Sequence, residues 1–311
     1  MYLCRRMNRP IIILLTAAFG LMCVACGSSY KEKQRITAEQ RQAQAPEDSA
    51  SLKIAVVPTM DCLPLFIGVE DSLFSKAGIN VHLRMRPARL DCDTLIARGH
   101  VEGFVTDLIR AERLRNHGTP LHYATATNAY WQVIANRKSR VTNASQLSDK
   151  MIAITRFSAT SWLTDRCLEK AHPKYDVFRV QINDVHVRLN MLLNNEIDAL
   201  VFTEPQATTA RLYKNAVLAD SRDLNTNLGV IAFTQKAYNN KDRKKQIDTF
   251  LRVYDSVCDS INRFGLTHYN DIIQKYTDAD AKTLKALPKL KYTHTAAPRQ
   301  KDIDTARKYL K

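Results

Sequence analysis

The chain has 311 residues, with 46 Lys and Arg against 31 Asp and Glu, a formal net charge of +15. That length allows a large core or two lobes of ordinary domain size. The basic residues are scattered, and the densest cluster (Lys241, Arg243, Lys244, Lys245) is broken by Asp242. There is no aromatic-interleaved basic stripe of the kind that stacks bases, so nucleic acid is set aside as a partner.

The N-terminus reads as an export signal over residues 1–25. Arg5, Arg6 and Arg9 precede an apolar run from Ile11 to Val24, too short for a spanning helix of about 20 apolar residues. Val24-Ala25-Cys26-Gly27 follows and looks like a bacterial lipobox, with Cys26 as the lipidated residue carrying palmitate-type chains. Cys23 stands where Leu is commonest in that motif. An ordinary signal peptide with cleavage nearby is the competing reading. Both place the working protein outside the cytoplasm, and the first anchors it to a bacterial membrane facing the periplasm or cell exterior. Residues 26–50 are Gln, Lys, Glu, Ser and Ala with few large apolar side chains, the composition of a flexible tether.

From Leu52 the pattern becomes an alternation of short apolar runs and amphipathic segments. Strands are expected at 52–57, 79–85, 103–106, 121–127, 131–136, 151–155, 179–182, 199–203 and 228–234. Helices are expected at 63–76, 93–97, 107–116, 160–170, 184–194 and 205–213, then at 241–264, 269–276 and 278–286. Strands alternating with helices argue for an α/β fold built on mainly parallel sheets, with a helical C-terminal region.

In such sheets ligands bind beyond the carboxyl ends of the strands. Polar residues collect at those junctions: Thr59 and Asp61, Arg89, Asp91 and Asp93, Asp107, Thr127, Arg156-Phe157-Ser158-Ala159-Thr160, Asn183-Asp184, and Glu204. The acids are read either as N-caps or as an acid-rich rim for an amine-bearing or zwitterionic solute. Arg156 beside the acid-free helix start at Ser158 and Thr160 reads either as an anion site or as a simple cap with a solvent-facing arginine. Tyr130 and Trp131 lie at the crossover between lobes, suited to stacking on a planar ligand or to interlobe packing.

Three stretches carry a family resemblance. They are Lys53-Ile54-Ala55-Val56-Val57-Pro58, Leu63-Pro64-Leu65-Phe66-Ile67-Gly68-Val69-Glu70-Asp71-Ser72-Leu73-Phe74, and Ala77-Gly78-Ile79-Asn80-Val81. Together they resemble the opening of type II solute-binding proteins of ABC importers, closest to the nitrate, sulfonate, taurine and thiamin-precursor branch. Gly103-Phe104-Val105-Thr106-Asp107 is similar to that group's G-x-x-T-D strand end, and Glu204-Pro205-Gln206-Ala207 to its E-P-x-A turn. The resemblance implies two α/β lobes and a hinge closing on one small molecule, with an ABC permease as partner, a monomeric body and no cofactor. Lobe 1 is expected over 51–129, lobe 2 over 130–238, and the C-terminal helices of about 239–311 mainly back on lobe 1. Enzymes on this fold, a thiamin-pyrimidine synthase and a chorismate-dehydratase type, form the alternative, as does a structural lipoprotein. The synthase's cysteine-rich CCCFC stretch is absent, and no G-x-S-x-G elbow occurs.

Cys62, Cys92, Cys167 and Cys258 remain in an export compartment, without a CxxC pair or HExxH-type histidines, so no metal site is expected. Cys62 and Cys92 each follow a β run and an Asp, which suggests a disulfide across two neighbouring strand ends.

Overall fold

The structure is a computed structural model that describes residues 50–311. The export signal, Cys26 and all but the last residue of the tether lie outside the described residues.

Residues 51–311 fold as one unit containing two five-stranded sheets. The first has the order β2-β1-β3-β10-β4, formed by β1 (Leu52–Val56), β2 (Val81–Met85), β3 (Gly103–Asp107), β4 (Leu121–Ala126) and β10 (Gly229–Thr234). The second has the order β7-β6-β8-β5-β9, formed by β5 (Gln132–Ala135), β6 (Met151–Ile154), β7 (Phe178–Gln181), β8 (Ala199–Phe202) and β9 (Ala216–Asp220). Each sheet runs mostly one way, with a single opposed strand: β10 pairs antiparallel with β3 and β4, and β5 with β8 and β9. Both opposed strands are the ones that enter their sheet directly from the other lobe.

This corrects the expected boundary of lobe 2. Gly229–Thr234 lies inside the first sheet, so the chain returns to lobe 1 about ten residues before the expected position. The central strands are mainly apolar because helices cover both faces; β1, β3, β5 and β8 are almost wholly buried.

Lobe 1 is layered by α1 (Leu63–Glu70), α2 (Leu73–Lys76), α3 (Arg89–Ala97) and α4 (Leu108–Asn116). The single helix expected over 63–76 is broken at Ser72, which adopts a left-handed φ of 55°. Lobe 2 carries α5 (Ala159–Ala171), α6 (Val185–Leu193) and α7 (Gln206–Leu212). After α8 (Gln235–Asn239) comes α9 (Lys241–Phe264), whose buried Ile247, Phe250, Tyr254, Val257 and Ile261 fall at helical spacing on one face. Phe250 stacks on Phe74 at 5.3 Å, fixing α9 to lobe 1. Of the remaining helices, α10 (Asn270–Thr277) packs on α1, α11 (Ala281–Ala286) on α7 of lobe 2, and α12 (Gln300–Tyr309) on α4.

Two segments, 127–131 and 221–228, cross between the lobes side by side. The Trp131 N–H donates to Ser221 Oγ at 3.0 Å, and the Ser221 N–H to the Trp131 carbonyl at 2.9 Å. The Thr127 N–H donates to the Gly229 carbonyl at 3.0 Å. Only glycine fits at 229, because a Cβ there would lie 2.7 Å from the Cβ of Ala129 and still closer to the Thr127 hydroxyl. The hinge is thus a hydrogen-bonded two-strand ribbon whose spacing depends on one missing methyl group.

The expected Cys62–Cys92 bridge is not formed; both are separate buried thiols. Cys62 lies in a single 3-10 turn and faces the Thr59 hydroxyl at 3.9 Å. Cys92 is in the second half of the first turn of α3 and its thiol points to the Val56 carbonyl at 3.8 Å. Neighbouring strands bring the two helix starts together, but the side chains are aimed at different partners.

Candidate functional site

The carboxyl ends of β1 and β3 in lobe 1 face those of β6 and β8 in lobe 2, and the lobes meet there. The Met60 N–H donates to the Glu204 carbonyl at 2.9 Å, and the Val185 N–H to the Pro87 carbonyl at 3.2 Å. Gln206 Nε2 donates to the Pro58 carbonyl at 2.9 Å. The Arg113 guanidinium of lobe 1 sits 4.8 Å from the Phe157 ring centre of lobe 2. A cavity of about 40 Å³ lies between the lobes beside these contacts.

Of the residues expected at the site, Thr59, Asp107, Trp131, Ser158, Thr160 and Asn183 line this cavity. The other five lie elsewhere. Asp61, with a fully covered side chain, receives Arg89 Nη2 at 3.1 Å. Thr127 belongs to the hinge. The Tyr130 hydroxyl donates to Glu204 at 2.6 Å, and its ring lies 3.9 Å beneath the Arg222 guanidinium. Arg156 is exposed and offers only its backbone carbonyl, 3.5 Å from Arg110 Nη1. Glu204 is saturated by Tyr130, by Thr208 through both N–H and hydroxyl, and by Arg211 Nη2 at 2.7 Å. That carboxylate is a buried hub joining the hinge to α7.

The helix start at Ser158 is a cap. Ser158 Oγ accepts from the Thr160 N–H at 3.1 Å and donates to the Thr155 carbonyl at 2.7 Å. Asp107 caps α4, accepting from the Arg110 N–H at 3.1 Å. The same carboxylate also faces the Ala159 N–H of lobe 2, so the donors at the start of α5 already have an anion from the opposite lobe. Burial raises the Asp107 pKa above the ordinary aspartate value, against the opposing pull of Arg110 and Arg89.

Three arginines dominate the cavity: Arg89, which stands at one of the strand-end junctions without being expected to bind, and Arg110 and Arg188, which the strand-end reading does not contain. They occupy positions one, three and four of α3, α4 and α6. A cation in a first helical turn opposes the helix dipole, and that anomaly is the signal in the sequence that would have found them. Arg89 is ion-paired with Asp61 and lies 5.9 Å from the Trp131 ring centre. Burial works against its charge, but Asp61, Cys62 and Asp107 outweigh that and hold its pKa above the usual arginine value. Arg110 is ion-paired with Asp93. Burial lifts Asp93 from the ordinary 3.8 to about 6 even beside that guanidinium.

Arg188 differs. Its Nη1 donates to the Val201 carbonyl at 3.1 Å, its Nε to the Ile182 carbonyl and its Nη2 to the Thr155 hydroxyl. No acid is bonded to it. Burial, with Arg110 nearby, pushes its pKa down to about 10, so it remains a cation at neutral pH. The cavity wall therefore holds one guanidinium that no acid bonds directly, with Asp184 acting on it only at longer range.

Four polar atoms of the lining residues have no protein partner: Arg89 Nη1, Arg110 Nε, Asn183 Oδ1 and Gln206 Oε1. Because Gln206 Nε2 is committed to a carbonyl, which can only accept, its Oε1 is fixed as a free acceptor. The nearby thiols are unreactive: burial pushes Cys92 up to about 12 and Cys62 higher still. Among the described residues, no group of three or more His, Cys, Asp or Glu is placed to hold a metal ion. Among them, too, no helix is long and apolar enough to cross a membrane.

Solved structures of similar fold include the alkanesulfonate-binding protein of Xanthomonas axonopodis pv. citri bound to MOPS, with a TM-score of 0.69 and 15% identity over 84% of this chain and 91% of that one. The aliphatic sulphonate-binding protein of Escherichia coli gives 0.66 and 15% identity, over 84% and 87% of the two chains. The nitrate-binding protein of Synechocystis PCC 6803 gives 0.63 and 10% identity, over 81% and 74%. These likenesses establish the two-lobe periplasmic-binding-protein fold. No curated protein sequence matches the chain. The family model described as NMT1/THI5 like matches residues 59–260, well over half of the chain, and the protein belongs to that family.

Proposed function

We propose that the protein is the solute-binding component of an ABC import system. It captures one small polar solute between its lobes and delivers it to a permease. The observation that carries this reading is the interlobe cavity walled by Thr59, Arg89, Arg110, Asn183, Arg188 and Gln206, with a two-stranded hinge joining the lobes beside it. Every contact that seals it links one lobe to the other: Met60 to Glu204, Val185 to Pro87, and Gln206 to Pro58. A solute held there strengthens closure by whatever free energy it gains in the closed form over the open one. Sulfonate- and nitrate-binding proteins among the structures of similar fold support the class.

A binding rather than catalytic role fits the chemistry of the wall. The Ser158 and Thr160 hydroxyls are spent on their own turn, and the adjacent thiols are held protonated. Export and acylation at Cys26 complete the proposal, resting on the Arg-rich start, the apolar run and Val24-Ala25-Cys26. The test is native mass spectrometry of protein purified without denaturation, with small-angle scattering before and after the solute is removed. A stoichiometric small molecule whose removal expands the protein is expected. Neither a bound solute nor a change in dimensions with any added small molecule would end this reading.

A further inference from the structure

The two hinge segments are not the only places where the chain passes between the lobes. After α10 it leaves lobe 1, packs α11 against α7 of lobe 2, and comes back to lobe 1 at Tyr292. Both ends of this excursion are fixed on lobe 1. Before it, the Tyr276 ring stacks on Phe66 at 4.2 Å, and its hydroxyl donates to Glu70 at 2.6 Å. After it, the buried Tyr292 donates its hydroxyl to the Met60 carbonyl at 2.8 Å. The Tyr292 backbone also exchanges two hydrogen bonds with the Asn262 side chain of α9. Residues 278–291 are therefore an arm of lobe 1 laid on the other lobe.

Local chemistry shapes the arm. Asp278, with a left-handed φ of 55°, ends α10 and turns the chain. The Asp280 side chain then caps α11, accepting from the Thr283 N–H at 2.7 Å. Thr283 is buried, and its hydroxyl lies 2.9 Å from the Thr209 hydroxyl of α7. Thr209 in turn donates to the Pro205 carbonyl at 3.5 Å, so Thr283 is the donor to Thr209. Pro205 stands in the closing turn, between Glu204, whose carbonyl receives the Met60 N–H, and Gln206, whose amide reaches Pro58. The arm thus grips the helix that carries the closing contacts, while Tyr292 holds Met60 on the lobe 1 side of one of them. The attachment is unequal. Stacking, carboxylate and backbone bonds tie both ends of the arm to lobe 1, whereas a hydroxyl pair and the packing of α11 tie its middle to lobe 2. Separating the lobes strains the weaker side.

We infer that residues 278–291 form a latch of lobe 1 that grips α7 and must release it each time the cleft opens. The inference rests on the reading that the lobes part and close around a solute, and it adds a control on how long they stay shut. Thr209 and Thr283 do not line the cavity. The latch therefore slows the escape of any solute to the same degree and leaves the choice of solute alone.

Amide hydrogen exchange tests the latch without any solute, because the Met60 and Val185 N–H groups donate across the lobe boundary and exchange when it opens. Thr283→Val and Thr209→Val should each speed exchange of both amides roughly two- to tenfold, the factor that one net hydrogen bond supplies, with the amides of β3 unmoved. In Thr209→Cys/Thr283→Cys, with the bridge confirmed by peptide mapping, oxidation should slow both amides by about tenfold or more, and reduction should restore them. If the bridged protein exchanges Met60 and Val185 as fast as the reduced one, α11 travels with lobe 2 and is no latch, while lobe opening stands. If the Val variants leave both amides unchanged, or speed the β3 amides equally, the threonines do not govern opening and the latch is likewise overturned. If Met60 and Val185 of the unaltered protein exchange no faster than β3, the lobes part only on unfolding, and the latch and the solute-capture reading fail together.

Discussion

The two walls of the cavity solve the same problem in opposite ways. On lobe 1, each buried guanidinium is matched by a carboxylate from its own lobe: Arg89 by Asp61 and Arg110 by Asp93. On lobe 2, Arg188 is bonded to two carbonyls and a hydroxyl, and its nearest acid, Asp184, acts on it without a direct bond. Lobe 1 therefore presents directly paired guanidinium groups, whereas lobe 2 brings a guanidinium with no bonded acid to the interface. A buried charge held by neutral partners is costlier than one bonded to an acid, so an anion beside Arg188 would gain more than one beside Arg89 or Arg110.

The sharpest way to break that comparison is to orphan a charge on the neutralised side. Arg89→Met leaves Asp61 fully covered and unpaired, which should cost about 3–5 kcal/mol of folding stability in denaturant titration. The double variant Arg89→Met/Asp61→Leu should recover most of the loss, since replacing both partners of a buried pair is often neutral. If the single and double variants are equally unstable, the pair is not what steadies lobe 1.

Arg188→Met removes donors but orphans no acid. The expected loss is smaller, about 2–3 kcal/mol for the stranded Val201 and Ile182 carbonyls. Affinity for an anionic solute should fall far more than it does in Glu204→Gln, whose carboxylate serves the Tyr130–Thr208–Arg211 hub away from the cavity. Titration of both variants with the same solute checks the contrast. Equal losses of affinity would show that the walls do not differ as described.

How far this arrangement could be read from the sequence depends on what each residue does. The strand ends are legible because short, mainly apolar runs such as Ile54-Ala55-Val56-Val57 and Phe104-Val105 stop at polar residues, and that edge is where the cavity lies. The edge strand β9 was missed because Ala216–Asp220 is partly exposed along its length and shows neither a buried run nor clean alternation. The return of Gly229–Thr234 to the first sheet was assigned to the wrong lobe, since a strand's own residues do not say which sheet accepts it. The acids at the helix starts were noticed, but whether a carboxylate is spent on a cap or an arginine is decided by residues far away in sequence. Asp61 and Arg89 are 28 apart, and Asp93 and Arg110 are 17 apart. For Arg188 the only sequence signal is its place in the first turn of α6, since its two carbonyl partners are main-chain atoms without a residue signature.

The two walls should also respond differently to pH. Asp93 is lifted by burial from 3.8 to about 6, with Arg110, Asp107 and Arg113 as the charges around it. Its proton is held more tightly in the folded state, so its contribution to stability is greatest below about 3.8 and is lost as pH rises through about 6. Between pH 7 and pH 5 the carboxylate takes up that proton and stops neutralising Arg110. Anionic solutes should then bind more tightly at pH 5 than at pH 7, and Asp93→Asn should bind tightly at both. Arg188, at about 10, stays charged across that range and contributes no such dependence. An unchanged pH profile in Asp93→Asn would move the titration to another group.

The smallest effect concerns what holds the walls together on the hinge side. The helix α12 touches both lobes: Arg307 Nε lies 3.3 Å from Glu112 on lobe 1, and the Tyr309 hydroxyl donates to Asp165 on lobe 2 at 2.6 Å. Just before it, Arg299 donates to Asn225 Oδ1 and to the Asn225 carbonyl, both at 3.0 Å, gripping the second crossing segment. The strap therefore adds bonds that any separation of α4 from α5 must strain or break. Tyr309→Phe deletes one of them without removing the ring. A single hydrogen bond to a partly exposed carboxylate contributes about 0.5–1.5 kcal/mol, so the closed form should weaken by that much at most. Solute affinity should then drop by roughly two- to tenfold, and stopped-flow release should account for the change, because closure governs escape more than encounter. If Tyr309→Phe changes global stability but not the release rate, α12 braces each lobe separately and plays no part in holding them shut.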